Sequence, residues 1–585
     1  MKGKRRSSTQ NSKLKMQKSK SSAGTVFFGV GFALAIFLFA GPASVRADFP
    51  NVAVINGMVI VNSAKDVNPD GVPVKPGLTV KDNALLESPK FYAQVARWYL
   101  KQPMDDETMR GLQREIILYF RAHDRPLVDV LYPEQDVSNG MIQIIVLEGR
   151  LDQIKVQDKQ GRPYTNGWSG VKFLHNSIRL RTNDVIVESR MVEDLDWLNR
   201  NPFRKVEAVY EPDKVEFGKT SVLLRVEEQR QWSADLGYED SGNRITSDDR
   251  ITAGVTWGKA FGVMDNQFRY AFTFDPSLEA LRAHSASYYA PLPWRHGLRL
   301  SGYYVDVKGQ VDTHSSLQGS AYQISARYEV PLPALRKYQH EASIGLDFKN
   351  SDNSLIFGAF KDNTPTEVFQ IAAGYSAALP DPFGKTALSI QGYYSPGNVT
   401  DLNNDTQFDK NHTRAEANYA YARFNLERST TLPAGFTWIF RGMTQVASGN
   451  LITSEQFGMG GYATVRGYEE REANKDEGFF ISNELRTPPF GLLQMFRKAA
   501  GWDEKLQLLG FWDYGQAHNF KPTPFEHSFT EMSSVGAGLR YRLSRHFELR
   551  FDYGWQLTDS GESRTGSTQQ RRSSSRGHIG VVATY

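Results

Sequence analysis

The chain contains no cysteine, which excludes a disulfide framework, a thiolate metal site and a cysteine nucleophile. Such a composition suits a polypeptide that must stay unfolded while crossing an oxidising compartment. Long apolar runs are also lacking after residue 47, which excludes a polytopic helical membrane protein. No phosphate-cradling G-x-x-x-x-G-K-[ST] loop, H-E-x-x-H zinc motif or G-x-S-x-G elbow occurs, and the histidines are scattered. Neither a metal, a cofactor nor an enzymatic activity is expected. Gly29-Val30-Gly31 and Gly536-Ala537-Gly538 read as chance glycine pairs. Asp401, Asn403, Asp405 and Asp409 have the look of a calcium loop, but Thr406 stands where glycine is needed and no closing Glu follows. A solvated outer loop is the simpler reading.

Acidic residues are absent before Asp48, whereas nine Lys or Arg precede it. Removing those nine from 69 leaves 60 basic against 65 acidic residues, so nothing calls for a nucleic-acid partner. The basic start, the apolar stretch Thr25 to Ala40 and Val45-Arg46-Ala47 read as a signal peptide over residues 1–47. Residues 48–77 show little helical periodicity and read as an extension or linker. From 78 to 150, Phe91, Val95 and Tyr99, then Leu112, Ile116 and Phe120, recur at helical spacing before the strand-like Met141 to Val146. A second α/β unit of the same plan covers 151–228, so an internal repeat forms a modular arm.

Residues 229–585 change period. Ile251, Ala253, Val255 and Trp257 alternate with polar neighbours, as do Phe268, Tyr270, Phe272 and Phe274, and Phe547, Leu549, Phe551, Tyr553 and Trp555. An aromatic and aliphatic face opposed to a charged one fits a transmembrane antiparallel β-barrel with a wet lumen. About sixteen such strands are expected by this pattern. Short connections at Leu292 to His296 and Ser544-Arg545 alternate with long ones at 396–411, 447–477 and 558–576, as inner turns and outer loops do. Tyr585 ends the closing strand on the face of Ile579, Val581 and Ala583.

Several ordered motifs carry a resemblance. Tyr132-Pro133-Glu134-Gln135-Asp136, Asn139-Gly140 and Glu148-Gly149-Arg150 resemble a polypeptide-transport-associated (POTRA) domain of the two-partner secretion transporters, the TpsB family of haemolysin and filamentous-haemagglutinin exporters. Trp197 to Phe203 and Gly218-Lys219-Thr220 resemble the family's second such domain. Phe457 to Gly461, Val465-Arg466-Gly467-Tyr468, Glu484 to Pro488, and Phe511, Asp513 and Gly515 resemble its barrel motifs. The resemblance covers about residues 78–585.

It implies two POTRA domains, a 16-stranded outer-membrane barrel, no cofactor, and type V secretion of one large, unfolded adhesin- or haemolysin-like exoprotein. The site residues implied are Val465, Arg466, Gly467 and Tyr468 on a pore loop, Phe511, Asp513 and Gly515 on the wall, and Pro133, Gln135, Asp136, Gly140, Glu148 and Gly149 in the arm. Tyr585 resembles the signal read by the outer-membrane assembly machinery. Outer-membrane lipid is the other partner. By period two, Asp513 faces the lumen, where Arg466 can form a bidentate pair with it. The arm's sheet edges can accept an extended chain as an added strand. An insertase for other barrels, or a passive porin or receptor, remain the alternative function classes. Many family members begin with a plug helix, but Asn51 to Val61 is β-branched and poor in helix propensity.

Overall fold

The computed structural model describes residues 54–165, 167–213, 216–242, 246–310, 315–334, 338–357, 360–492, 503–524, 526–562 and 574–585. The signal-peptide reading of residues 1–47 lies outside them. Among the described residues no helix is long and apolar enough to cross a membrane.

The first arm domain is a four-stranded sheet ordered β2-β1-β4-β3, from β1 (Gly57–Val61), β2 (Gly77–Val80), β3 (Val128–Leu131) and β4 (Met141–Glu148). Over one face lies α3 (Asp106–Ala122), preceded by the short helices α1 (Pro89–Phe91) and α2 (Arg97–Tyr99). Asp105 caps α3 by accepting from the Thr108 amide at 2.8 Å. Met109, Leu112, Ile116 and Phe120 form one buried stripe against Ile142, Ile144 and Val146.

The linker expected at 48–77 is corrected within its described part. Gly57–Val61 is a central strand, parallel to β4 from Gly57↔Met141 to Val61↔Ile145, and every residue of it is buried. A short continuous apolar run lacks helical period because it is a strand covered on both faces. Its two partners, both parallel, lie some 20 and some 80 residues downstream, so no hairpin pattern announced it. The second domain has the sheet order β5-β7-β6, from β5 (Arg150–Asp158), β6 (Arg204–Pro212) and β7 (Lys219–Glu228), packed on α4 (Val171–Asn176) and α5 (Glu188–Leu198).

The rest is a closed antiparallel barrel. Its strands are β8 (Trp232–Glu239), β9 (Arg250–Trp257), β10 (Gln267–Phe274), β11 (Leu281–Pro291), β12 (Gly297–Gln310), β13 (Ser315–Pro331), β14 (Gln339–Phe357), β16 (Thr366–Asp381) and β17 (Gly384–Pro396). It continues through β18 (Asn418–Thr431), β19 (Thr437–Ala447), β22 (Glu477–Arg486), β23 (Glu504–His518), β24 (Phe529–Leu543), β25 (Phe547–Gln556) and β26 (Ser575–Thr584). These are the sixteen strands of the wall. A short β15 (Phe360–Asn363) extends the hairpin at β14, and β20 (Phe457–Met459) pairs with β21 (Ala473–Lys475) as a separate ribbon. The barrel closes where β26 meets β8, from Gly580↔Glu239 to Thr584↔Asp235. Tyr585 prolongs this seam through both backbone bonds to Ala234, and Arg230 lies between the rings of Tyr585 and Trp232.

Two expected strands differ most: the one expected over 338–348 runs on to Phe357 as β14, and another starts late. The pattern predicts a strand over 412–427, but β18 begins only at Asn418, after α6 (Asp405–Asn411). The outer loop before it is not simply solvated. Asn404 caps α6, Phe408 is fully buried, Asn403 donates to the Glu367 carbonyl at 3.0 Å, and Asp405 and Asp409 accept from the amides of Ala417 and Arg414. Two of the loop's acids thus bind amides of the loop's own chain beyond α6.

Candidate functional site: a buried arginine clamp in the barrel lumen

The connection between β19 and β22 folds back into the lumen. The β20–β21 ribbon narrows it, and Gly460 and Gly461 take φ values of 102° and 101° to turn the chain towards the wall. Val465 is buried with Phe457, Met459 and Tyr468 of the loop and Phe480 and Met532 of the wall, so loop and wall share a small apolar core.

Arg466 is fully buried. Its Nε and Nη2 donate to the two oxygens of Asp513 at 2.8 and 2.9 Å, and its own backbone amide donates to Asp513 at 3.1 Å. Nη1 donates to Glu484 at 2.8 Å, Nη2 also reaches Ser482 at 3.2 Å, and Asp552 lies 3.5 Å away. The guanidinium sits 3.5 Å above the centre of the Phe511 ring. A planar fork is the side chain that can meet these acceptors' geometry while stacked on an aromatic face. The carboxylates are shared with a second tier of arginines: Arg486 on Glu484 at 2.5 Å, Arg540 in two bonds to Asp552 at 2.9 and 3.0 Å, and Arg550 on Asp552 at 2.8 Å.

Gly467 has φ 92°, donates its amide to Nε2 of His578 at 3.2 Å and accepts from Gln556 at 2.7 Å. The Tyr468 hydroxyl lies 2.7 Å from the Thr558 carbonyl and 2.9 Å from that of Ser533, sharing its one proton between them, and accepts from the Ser533 amide at 3.1 Å. The wall under the tip is cut away to admit it. A Cβ on Gly554 would stand 2.8 Å from the Gly467 nitrogen, and one on Gly515 would stand 2.5 Å from Met459 Sδ. Gly536 and Gly538 face the lumen too, against Phe511 and Asp552. The glycine pair at 536 and 538 is therefore part of the seat and no accident. At its base the loop is tied by Glu455, which is fully buried and bonded to Lys349 and Tyr421 at 2.8 Å.

The structure thus brings together Val465, Arg466, Gly467, Tyr468, Phe511, Asp513 and Gly515. It does not bring the arm residues to them. Gln135 bridges to the backbone of Gln143, donating at 2.8 Å to its carbonyl and accepting at 2.6 Å from its amide. Asp136 accepts from the Ser138 amide at 2.9 Å, and that bond holds its carboxyl below the usual range. Gly140 turns with φ 80° against Asn56, Glu148 pairs with Arg125 at 3.0 Å, and Gly149 lies on Leu127, while Pro133 offers its carbonyl to Gln135. These residues shape the first arm domain.

Sequence reasoning missed Asp552 and His578 and gave Glu484 no role. Period two places Glu484 beside Ser482 on the lumen face of β22, so that signal was present. Nothing local relates 552 or 578 to 466. Among the described residues no cluster of three or more His, Asp or Glu is placed to hold a metal ion.

A sequence model of the haemolysin secretion/activation proteins ShlB/FhaC/HecB matches residues 218–541. The heme/hemopexin transporter protein HuxB of Haemophilus influenzae is 20% identical over 456 residues, 76% of this chain and 77% of that protein. The outer membrane transporter CdiB of Dickeya dadantii is 22% identical over 397 residues, 66% of this chain and 67% of its own. Among solved structures, CdiB from Escherichia coli superposes with a TM-score of 0.68 at 15% identity, covering 93% of each chain, a likeness of fold.

Proposed function

The chain belongs to the haemolysin secretion/activation family ShlB/FhaC/HecB, and from that membership we propose how its own residues carry a secreted partner across the outer membrane. As a member it is an outer-membrane transporter of two-partner secretion, with its POTRA domains in the periplasm and an exoprotein as its partner. The partner is inferred to be one large adhesin- or haemolysin-like protein, delivered unfolded. The arm's sheet edges would hold it by main-chain hydrogen bonds, which need no particular sequence, while side chains beside the edge select it.

The observation that supports this reading best is the loop clamp. A charged residue held dry by three carboxylates and an aromatic ring is costly to assemble and strongly directional once assembled. A passive pore has no use for it, whereas a transporter needs a loop with one defined seat that still leaves a route through the lumen. Outer-membrane lipid would meet the aromatic outer face, and Tyr585 would serve the assembly machinery.

The test is a secretome comparison between an intact strain and one lacking this chain, with outer-membrane proteins followed in parallel. Loss of one large exoprotein with other barrels unchanged is the expected result. A general fall in barrels with no exoprotein missing would transfer the reading to an insertase.

A further inference from the structure

The lumen has two unlike walls. The inserted loop makes its hydrogen bonds to β14, β18 and β19 through Glu455, and to β22 through β26 through Tyr462, Arg466, Gly467 and Tyr468. That side is filled with arginine–carboxylate pairs. The wall from β9 to β13 is different in chemistry. Its lumen-facing positions include Thr252, Thr273, Ser285, Ser287, Ser301 and Ser325, and the pairing aligns Ser287, Ser301 and Ser325 directly across three neighbouring strands. A cavity of about 250 Å³ lies against this wall, lined by Arg269 together with Ser285, Ser287, Ser301, Tyr303, Gln323 and Ser325.

Three arginines on this side are matched by carboxylates on the same wall or on the flanking strands, β8 and β14. Arg269 pairs with Asp235 at 2.8 Å, Arg299 with Glu329 at 2.6 Å and Arg327 with Asp347 at 2.7 Å. A second, independent asymmetry coincides with the first. The second arm domain is seated under this same wall: Asn201 donates to the Gly258 carbonyl at 3.1 Å, Arg204 forks onto Asp265 at 2.9 and 2.7 Å, Arg200 donates to Tyr289 at 2.8 Å and pairs with Glu341, and Arg295 pairs with Asp194 at 2.6 Å. Gly258 and Asp265 lie between β9 and β10, Tyr289 is on β11, Arg295 follows β11, and Glu341 begins β14.

We propose that the outgoing exoprotein runs as an extended, unfolded segment along the β9–β13 wall, entering beside the seat of the second arm domain; this rests on the export reading above. A moving chain presents every side chain in turn, so its track must bind none of them firmly. Serine and threonine hydroxyls both donate and accept, so they replace the water lost by a passing peptide group without favouring one residue. They carry no charge, and the Arg269–Asp235, Arg299–Glu329 and Arg327–Asp347 pairs each neutralise an arginine that would otherwise trap a passing acid. The opposite wall is covered by the loop seated on it.

The test uses the full-length chain in its own strain. Ser301→Trp and Ser325→Trp are compared with Ser389→Trp, a lumen-facing position on β17, three wall strands beyond β13, that accepts a hydrogen bond from Asn425. Barrel assembly is followed by the heat-dependent mobility of the folded protein. Ser301→Trp and Ser325→Trp are expected to remove most of the exported protein from the medium with assembly intact, while Ser389→Trp and Ser301→Thr retain it. Benzoylphenylalanine at position 301, but not at 389, is expected to photo-crosslink the same protein that disappears when the chain is deleted. Full export by the folded Ser301→Trp and Ser325→Trp proteins, or capture from 389 alone, overturns the assigned wall. An unchanged secretome on deleting the whole chain overturns the export reading itself and is recognised by that control alone.

Discussion

Arg466 illustrates how a single residue can hold a loop of nearly thirty. It carries a full charge with no solvent exposure, and what makes this tolerable is the set Asp513, Glu484, Asp552 and Ser482 around it. Removing one partner from such a set leaves the others buried and uncompensated, which costs about 3–5 kcal/mol. Arg466→Ala or Asp513→Ala should therefore release the loop from its seat while the barrel still folds, because the wall's own strand pairing does not pass through the loop. Limited proteolysis of the folded protein should cut within 448–476 in both variants, with export crippled; wild-type secretion in both would sink the role. Arg466→Lys should restore little, since an ammonium cannot fork onto a carboxylate and stack on Phe511 together. Gly554→Ala tests the seat from the wall side. Its Cβ would stand 2.8 Å from the Gly467 nitrogen and 2.9 Å from its Cα, backbone atoms that cannot swing aside. The overpacking should cost about 1–3 kcal/mol, read as faster hydrogen exchange at residues 464–468.

At the scale of elements, the joint between α5 and the barrel rim is the other built contact. Asp196 on α5 is set beside Gln339 and Arg200, and burial pushes its carboxyl up to about 6. The sign follows from which form burial disfavours. A carboxyl whose folded value lies above its free value supports docking fully below the free value, near 3.8, and that support is lost as pH rises through about 6. Hydrogen exchange over 188–204, corrected for intrinsic rates, should thus be slower at pH 5 than at pH 7. Asp196→Asn should flatten that dependence. An unchanged pH response in the variant would assign it to another group.

The elements also show what could be read in advance. The wall strands were legible because lipid on one side and water on the other impose period two on every strand, whatever its partner. Asp513 and Phe511 were placed by the same rule, and the Arg466 pair followed once the loop was assumed to enter. Gly57–Val61 was not legible, since a strand buried on both faces has no alternation to show. Asp552, His578 and the glycines at 536, 538 and 554 escaped because their importance lies in contacts to a loop far off in sequence. Alternation shows that they face inward but not what they meet there.

For the whole molecule, the arm and the barrel are joined by few groups of high specificity, and this separates their tasks. The barrel's closure depends on strand pairing from β8 round to β26, and the arm contributes no strand to it. What the arm gives the rim includes Arg200, Asn201, Arg204 and the carboxylates of Glu193, Asp194 and Asp196. Removing residues 54–228 exposes Asp265, Arg295 and Glu341 to water at the periplasmic mouth, where charged groups are readily solvated, so it opens no hole in the apolar belt. The shortened chain should insert with the heat-dependent mobility of a folded barrel and conduct ions at least as well as the intact chain, because Arg200 no longer stands at the mouth. It should export nothing, since the edges that hold an unfolded chain and the seat that leads it to the β9–β13 wall are gone together. Restoring only the second arm domain, residues 151–228, should recover the seat, read as protection of 198–204 from exchange, without recovering full export if the first domain's sheet makes the capture. Full export by the barrel alone would mean that the lumen recognises the partner without the arm.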